Sequence, residues 1–320
     1  MFAALKRFDP YIAAIFSCVL LASVFPAQGA AADALDLIVD AAIALLFFLY
    51  GARLSPKDAW EGARNLRLHA VVLAFTYLLF PLLGLLTQVL VPSVLTPELY
   101  VGVVFLCCLP STVQSSIAFT SIARGNVAAA LCAASLSNLL GVVLAPLLVG
   151  LLLSKQGMTF STSAIQKLVL QLLLPFVLGQ LLRPRIAGFV LRHKQVLSYV
   201  DRSSILLVVY AAFSEGVVAG IWQRISGLSL GLLLLLTSVL LALVLAITTL
   251  ASRRLGFSKA DEITIVMCGS KKSLASGVPI ATVLFPPATV GIAVLPLMLF
   301  HQLQLVVCAW LARRYAERDA

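Results

Sequence analysis

Ten apolar blocks, each about as long as a membrane-spanning helix, constrain this 320-residue chain more than any other feature of its sequence. A helix needs about 20 apolar residues to cross a bilayer. Hydrophobic residues make up 61% of the chain and charged residues only 11%, against about 45–50% and 25% in soluble domains. We therefore predict an all-α polytopic membrane protein with ten transmembrane helices. The blocks cover about 11–27, 34–51, 68–91, 99–122, 127–153, 164–182, 204–222, 227–250, 262–285 and 288–311.

Positive charges are shared unevenly between the loops on the two sides of the membrane. Eighteen Lys and Arg residues lie at the two ends of the chain and in the loops after spans two, four, six and eight, whereas the alternate loops hold only Lys155, Lys167 and Arg224. Positive residues concentrate on the cytoplasmic side, so we expect both termini to be cytoplasmic and residues 155–163 to face outside, in the cell (inner or plasma) membrane. This topology explains the net charge of +10 with the lipid bilayer as partner and no nucleic acid.

Two spans are interrupted, span four by "CCLPSTVQSSIAF" and span nine by "CGSKKSLASGVPIA". Each is the fourth span of a five-span half, and because five is odd the halves enter the membrane in opposite directions. We predict one domain, 1–320, with inverted repeats at approximately 1–155 and 156–320. Paired interruptions at matching positions point to a transporter site near the bilayer midplane. A local likeness between "FLYGARLSPK" (47–57 region) and "FVLGQLLRPR" (176–185) does not respect this pairing, and we interpret it as coincidence.

The interruptions bring polar groups to membrane depth. Each break presents the N-terminus of a half-helix, which carries partial positive charge and attracts anions. Hydroxyls and amides cluster at both breaks, although a single hydroxyl can equally bond to its own helix or to a neighbouring one. The residues concerned are Ser111, Thr112, Gln114, Ser115 and Ser116 in span four, and Ser270, Ser273 and Ser276 in span nine.

The adjacent lysines of span nine, Lys271 and Lys272, are the strongest functional candidates. A lysine at the bilayer centre costs roughly 2.5–3.5 kcal/mol, and both lie about ten residues from either end of the span, roughly 15 Å of helix. Adjacent residues cannot share a helix face, so we expect different roles for the two side chains. Glu215 in span seven is a candidate acidic partner or a snorkelling side chain. His301 in span ten is a titratable candidate or a helix–helix hydrogen bond.

The span layout and "CGSKKSLASGVPIA" resemble the SBF-like branch of the bile acid:sodium symporter superfamily over essentially the whole chain. The resemblance implies an inverted five-plus-five repeat, a panel domain and a core domain, and broken fourth and ninth helices that cross near the substrate. It also places Ser115, Ser116 and Thr76 at sodium-ligand positions, with Ser135, Ser137 and Asn138 as further hydroxyl or amide candidates. Sodium-coupled members carry a Glu before a Gln-Asn pair in span nine, where this chain has "VMCGSKKS". We therefore expect an ammonium to sit where sodium would bind.

We predict a secondary transporter of an organic anion that works by alternating access, either proton-coupled or independent of sodium. It has no catalytic residue, bound metal or cofactor, and sodium coupling is left open. The alternatives are a sodium-coupled solute symporter and a non-transporting membrane sensor or regulator; an intramembrane hydrolase using Ser and His301 lacks any supporting motif. The candidate substrate- and ion-binding residues are Thr76, Gln114, Ser115, Ser116, Ser135, Asn138, Glu215, Ser270, Lys271, Lys272, Ser273 and His301.

Overall fold

The computed structural model describes residues 10–53, 65–153, 166, 169–220, 223 and 225–317, and the regular elements of that part of the chain are helical. The all-α class is therefore confirmed. Short π-helical turns at Phe75–Leu79 and Val169–Leu173 lead into α4 and α8, and a 3₁₀ turn at Thr87–Leu90 follows α4. The helices are α1 Pro10–Val24, α2 Ala30–Arg53, α3 Leu66–Ala74, α4 Phe80–Leu86, α5 Pro97–Cys108, α6 Gln114–Ile122, α7 Val127–Leu153, α8 Leu174–Arg192, α9 Lys194–Val218, α10 Gly227–Arg254, α11 Lys259–Gly269, α12 Leu274–Leu284 and α13 Pro287–Glu317.

Six helices in the described part of the chain are long and apolar enough to cross a membrane, judged by length and composition. They correspond to predicted spans three, five, six, seven, eight and ten. Spans four and nine are each divided into two short helices, α5 with α6 and α11 with α12. The six are Leu66–Leu90, Val127–Leu153, Val169–Val190, Gln195–Val218, Gly227–Arg254 and Pro287–Glu317.

Predicted spans one and two each form a single helix outside this group of six. Span one contributes a shorter apolar helix at Ala13–Val24. Span two forms α2, which carries Asp33, Asp36 and Asp40. Ten spans in an inverted repeat stay a prediction, and the loop at 155–163 and both chain ends lie outside the described residues.

The chain divides into two compact units. Each unit draws segments from both halves of the sequence, and the resemblance implied two such parts, a panel domain and a core domain. The first unit comprises Met1–Leu54, Ser161–Ile225 and Val278–Ile292, and the second comprises Ser55–Phe160, Ser226–Gly277 and Ala293–Ala320.

Two glycines permit the close packing of α2 against α8 in the first unit. A Cβ atom added to Gly51 would lie 2.0 Å from the carbonyl oxygen of Phe176, and one added to Gly179 would lie 2.1 Å from that of Phe48. Backbone atoms therefore occupy the space that any other side chain would need. Both glycines belong to the two similar stretches noted above, so the likeness that we interpreted as coincidence has a physical counterpart.

The break in span four, which lies in the second unit, follows from its local sequence. Helix α5 begins with Thr96 as its N-cap, whose hydroxyl accepts a hydrogen bond from the Leu99 amide, and Pro97 occupies the first turn. Helix α5 ends at Cys108 because Leu109 precedes Pro110, and a residue before proline is driven out of the helical region. Leu109 is accordingly extended, with φ −74° and ψ 156°.

Candidate functional site

The two broken spans satisfy each other's backbone groups within the second unit. The Ser273 amide donates to the Pro110 carbonyl at 2.9 Å, and the Ser111 hydroxyl donates to the Cys268 carbonyl at 2.5 Å. Non-helical backbone at membrane depth requires such internal partners, because the hydrocarbon offers none. The two interruptions predicted from the sequence therefore lie together.

Helix α7 connects the two breaks through two polar side chains. The Asn138 amide donates to the Ser111 carbonyl at 2.7 Å and accepts from the Ser276 hydroxyl at 2.8 Å. The Ser137 hydroxyl accepts from the Ser111 amide at 3.0 Å. The Tyr77 hydroxyl donates to the Ser137 carbonyl and so joins the π-helical turn to the same network. Asn138 therefore has its hydrogen-bonding capacity engaged in bridging spans four and nine.

Lys272 has a complete set of acceptors. Its Nζ donates to the carbonyl oxygens of Thr76 at 2.8 Å, Cys107 at 2.8 Å and Leu109 at 2.7 Å. Nζ also lies 4.1 Å from the centroid of the Phe80 ring, a favourable place for a cation. The residue is fully buried, with 0% exposure. An ammonium has three N–H donors, so all of them are used.

Local backbone geometry explains why these three carbonyls are free to accept. In the π-helical turn the Phe80 amide bonds to the Phe75 carbonyl and not to the Thr76 carbonyl, which would be its partner in an α-helix. The next residue, Pro81, has no N–H to offer the Thr76 carbonyl. At the end of α5, Pro110 likewise offers no donor, and the Ser111 amide bonds to Ser137. The last carbonyls of a helix lack intrahelical partners, and here the Lys272 ammonium is the donor that bonds to them.

Gln304 on α13 holds the backbone of Lys272 in place, and sequence reasoning missed it. Its Oε1 accepts from the Lys272 amide and its Nε2 donates to the Lys272 carbonyl, both at 2.8 Å. His301 lies beside this pair, with Nδ1 3.3 Å from the Lys272 carbonyl and 2.8 Å from Gln304 Nε2. The available signal was the spacing in "HQLQ", since residues three apart share a helix face.

Lys271 points away from its neighbour and has fewer partners. Its Nζ donates to the Ser115 carbonyl at 2.9 Å and lies 4.1 Å from the centroid of the Phe119 ring. The side chain is also 0% exposed. Within the described part of this unit, Ser115 provides its one hydrogen-bond acceptor, and no carboxylate lies within salt-bridge distance of either lysine. Lys271 therefore keeps donors that a ligand could use.

Hydroxyls at the start of α6, where the Ser115 carbonyl accepts from Lys271, form a small chain. The Thr112 hydroxyl lies 2.7 Å from the Ser115 hydroxyl and 2.9 Å from the Ser116 hydroxyl. Ser116 also donates to the Met267 carbonyl at 3.1 Å. Gln114 is exposed at the first position of α6, and no side chain caps this helix N-terminus.

The other candidates take more local roles. The hydroxyls of Thr76 and Ser270 donate to carbonyls four residues back in their own helices, and the Ser273 hydroxyl donates to Ser276 at 3.1 Å. Ser135 is half-buried on α7 and has no part in this network of described hydrogen bonds. Glu215 lies on α9 in the first unit, so its pairing with a lysine stays a prediction.

Comparison with known proteins assigns the chain to a family. The model of the SBF-like CPA transporter family matches residues 9–317. The chain belongs to the SBF-like CPA transporter family. It is 53% identical to the protein named "Putative symporter YfeH" of Escherichia coli K12 over 97% of this chain and 93% of that protein. It is 56% identical to an uncharacterised Pseudomonas aeruginosa protein over the same shares.

A more distant relative carries a more specific name. The rat protein "Sodium/bile acid cotransporter 7" is 28% identical over 83% of this chain and 79% of its own length. Membership of the family confirms the resemblance inferred from the interrupted spans. It makes this chain a multi-pass membrane protein of a transporter family and argues against the hydrolase alternative.

Proposed function

We propose that this protein is a secondary transporter that moves an organic anion by alternating access, without sodium, and that Lys271 holds the anion. The observation that carries the proposal is the state of the Lys271 ammonium. It is fully buried and has one described hydrogen-bond acceptor, the Ser115 carbonyl. A buried cation needs a compensating partner, and an anionic solute supplies both the charge and the missing acceptors.

The surroundings of Lys271 support an anion over a cation. The N-terminus of α6 lies beside it without a side-chain cap, and the positive end of that helix adds to the field of the ammonium. Ser115, whose carbonyl accepts from the Lys271 ammonium, also carries a hydroxyl that lies 2.7 Å from the Thr112 hydroxyl. Hydroxyls of this kind can donate to carboxylate, sulfate or phosphate oxygens. A cationic solute would meet repulsion from both sources.

Alternating access accounts for the burial of the site. Because Lys271 has no exposed surface, a solute reaches it only after part of the protein opens to one side of the membrane. Transporters that use broken helices expose a fixed midplane site alternately to the two sides. A site closed to both sides of the membrane is one of the states that alternating access requires.

The absence of sodium from the mechanism rests on span nine. Sodium requires oxygen ligands and compensating negative charge, as other hard cations do, whereas this break carries two ammonium groups. Three backbone carbonyls that could face a cation are already bonded to Lys272. In place of sodium, we propose proton coupling, with Glu215 and the lysines as titratable candidates, or transport without a coupling ion.

A thermal-shift comparison of purified wild-type protein with Lys271→Gln tests the proposal. The panel contains bile salts, dicarboxylates and organic sulfates, with organic cations as comparators, in sodium chloride and in choline chloride. We expect at least one anion to raise the unfolding midpoint of the wild type equally in both salts. Lys271→Gln should lose this shift, and Lys271→Arg, which keeps the charge, should retain part of it.

Two outcomes would contradict the proposal. A shift that appears only in sodium chloride would favour the sodium-coupled symporter. A shift that Lys271→Gln leaves unchanged, or that organic cations alone produce, would remove Lys271 from the binding site.

A further inference from the structure

Two arginine pairs lie at one end of the second unit. One pair contains, and the other adjoins, a residue that bonds to the carboxylate of Glu262 on α11. Arg253 Nε and the Tyr315 hydroxyl both donate to Glu262 Oε1, each at 3.2 Å. The ends of α10 and α13 therefore meet at this carboxylate. The pairs are Arg253 with Arg254 on α10 and Arg313 with Arg314 on α13.

The positive charge at this end exceeds what Glu262 can neutralise. The residue is buried, and its carboxylate already pairs with Arg253 at 3.2 Å and with Lys259 at 2.8 Å. The other three arginines are exposed, and none of them forms an ion pair with any residue that the structure describes. Their guanidinium groups are therefore available to an anion from outside the chain.

Apolar surface adjoins these arginines. Trp310 lies one turn before them on α13 with 57% of its surface exposed, and the guanidinium carbon of Arg314 lies 4.9 Å from the centroid of its ring. Val306, one turn further back, and Leu250, one turn before the pair on α10, are also exposed. Tryptophan concentrates where the hydrocarbon meets the headgroups of a bilayer. The surface thus passes from apolar side chains to guanidinium groups, as a phospholipid passes from acyl chains to phosphate.

We propose that this surface, formed by Arg254, Arg313, Arg314 and Trp310, is a binding site for an anionic phospholipid. Guanidinium groups bind phosphate oxygens through paired N–H donors, and basic residues beside the cytoplasmic ends of helices attract anionic headgroups. A soluble anion would use the arginines alone, whereas a lipid also covers the exposed apolar side chains. The inference does not depend on the transported solute or on the role of Lys271.

Lipid titration of the full-length protein in a neutral detergent tests the site. Phosphatidylglycerol is compared with phosphatidylcholine of the same acyl chains, and inorganic phosphate and glycerol 3-phosphate are the soluble comparators. A ligand that binds only the folded state raises the unfolding midpoint with its concentration. We expect a saturable rise with phosphatidylglycerol that exceeds the rise with phosphatidylcholine, and no rise with the soluble phosphates.

Two double variants remove the same charge from different places. Arg254→Gln with Arg314→Gln takes one exposed arginine from each helix end, and the variant should unfold like the wild type without added lipid. Arg185→Gln with Arg192→Gln removes two exposed arginines from α8, which our topology also predicts to be cytoplasmic. We expect the first variant to lose the extra rise with phosphatidylglycerol and the second to keep it. Lys271→Gln should also keep it, because the buried lysine is not part of this surface.

Native mass spectrometry after exchange into an equimolar mixture of the two lipids measures the same preference without unfolding. The wild type should retain phosphatidylglycerol in excess, and the Arg254→Gln, Arg314→Gln variant should not. Equal rises with the two lipids, equal losses in the two double variants, or a rise with inorganic phosphate alone would overturn the proposal. Loss of the rise in Lys271→Gln would also overturn it, because the lipid would then occupy the buried site.

Discussion

A buried ammonium is stable at membrane depth when its N–H donors find acceptors, and the two adjacent lysines meet this condition differently. Lys272 bonds to three carbonyls, whereas Lys271 bonds to the Ser115 carbonyl. Both residues lie in the non-helical break between α11 and α12 and their ammonium groups reach different partners, so a pair at one break can serve two purposes. Lys272 joins the elements around the break, and we propose that Lys271 binds the solute.

Gln304 supports this arrangement, and its removal tests how much the break depends on it. In Gln304→Leu the Lys272 amide would lose its partner at 2.8 Å, and the Lys272 carbonyl would keep only the 3.3 Å contact with His301 Nδ1. A buried unpaired group costs about 1–3 kcal/mol. We expect a clearly lower unfolding midpoint in detergent.

The control for Gln304→Leu lies on the same helix. Gln302 Nε2 is buried without a hydrogen-bond partner among the described residues, so Gln302→Leu should be neutral or stabilising. Equal losses of stability in the two variants would show that the hydrogen bonds to Lys272 are unimportant.

At the residue scale, the two lysines could be predicted from the sequence, but their hydrogen-bond acceptors could not. An ammonium in an apolar span is visible in any composition scan. Its acceptors are backbone carbonyls more than 160 positions away, and every residue type has a carbonyl. Side-chain patterns therefore cannot predict these acceptors, and Phe80 and Phe119 could not be told apart from the other apolar residues of their spans.

Among the elements, the helix pair α2 and α8 depends on glycine as strictly as the site depends on its lysines. The added Cβ atoms of Gly51 and Gly179 would meet backbone, at 2.0 and 2.1 Å, and backbone cannot move aside as a flexible side chain can. Small residues at such crossings let membrane helices approach closely.

Gly179→Ala should therefore destabilise the first unit. Overpacking in a core typically costs about 1–3 kcal/mol, and a clash with backbone belongs at the upper end of that range. Gly188→Ala on the same helix is the control, because its Cβ would meet only the end of Arg192 at 3.7 Å. Thermal unfolding should show a loss for the first variant and no loss for the second; similar midpoints would refute the close crossing.

The helix breaks were more predictable than the π-helical turn. Pro110 removes a backbone donor and forces Leu109 out of the helix, which a sequence pattern can show. In the π-helical turn at Phe75–Leu79, Pro81 has no amide for the Thr76 carbonyl, and Lys272 bonds to that carbonyl instead. The turn therefore depends on a distant residue and on packing against α5, which the local sequence does not determine.

For the whole molecule, the distribution of basic residues predicts which side of the membrane each loop occupies. The bias of eighteen against three predicts that residues 155–163 face outside. A cysteine introduced at Thr159 should react with a membrane-impermeant reagent on intact cells, with the six native cysteines in apolar segments as the background to subtract. Labelling that appears only after lysis would contradict the predicted topology.

The central claim is that this family member moves an organic anion without sodium, and flux into proteoliposomes tests it most directly. The solute is the anion that gives the largest thermal shift, with sodium or choline chloride outside and with or without an inward proton gradient. We predict that wild-type protein takes up the anion equally in both salts, that a proton gradient accelerates uptake if protons are coupled, and that Lys271→Gln reduces uptake to the level of empty liposomes. Uptake that requires sodium and ignores pH would contradict the account, and binding without any flux would indicate a sensor.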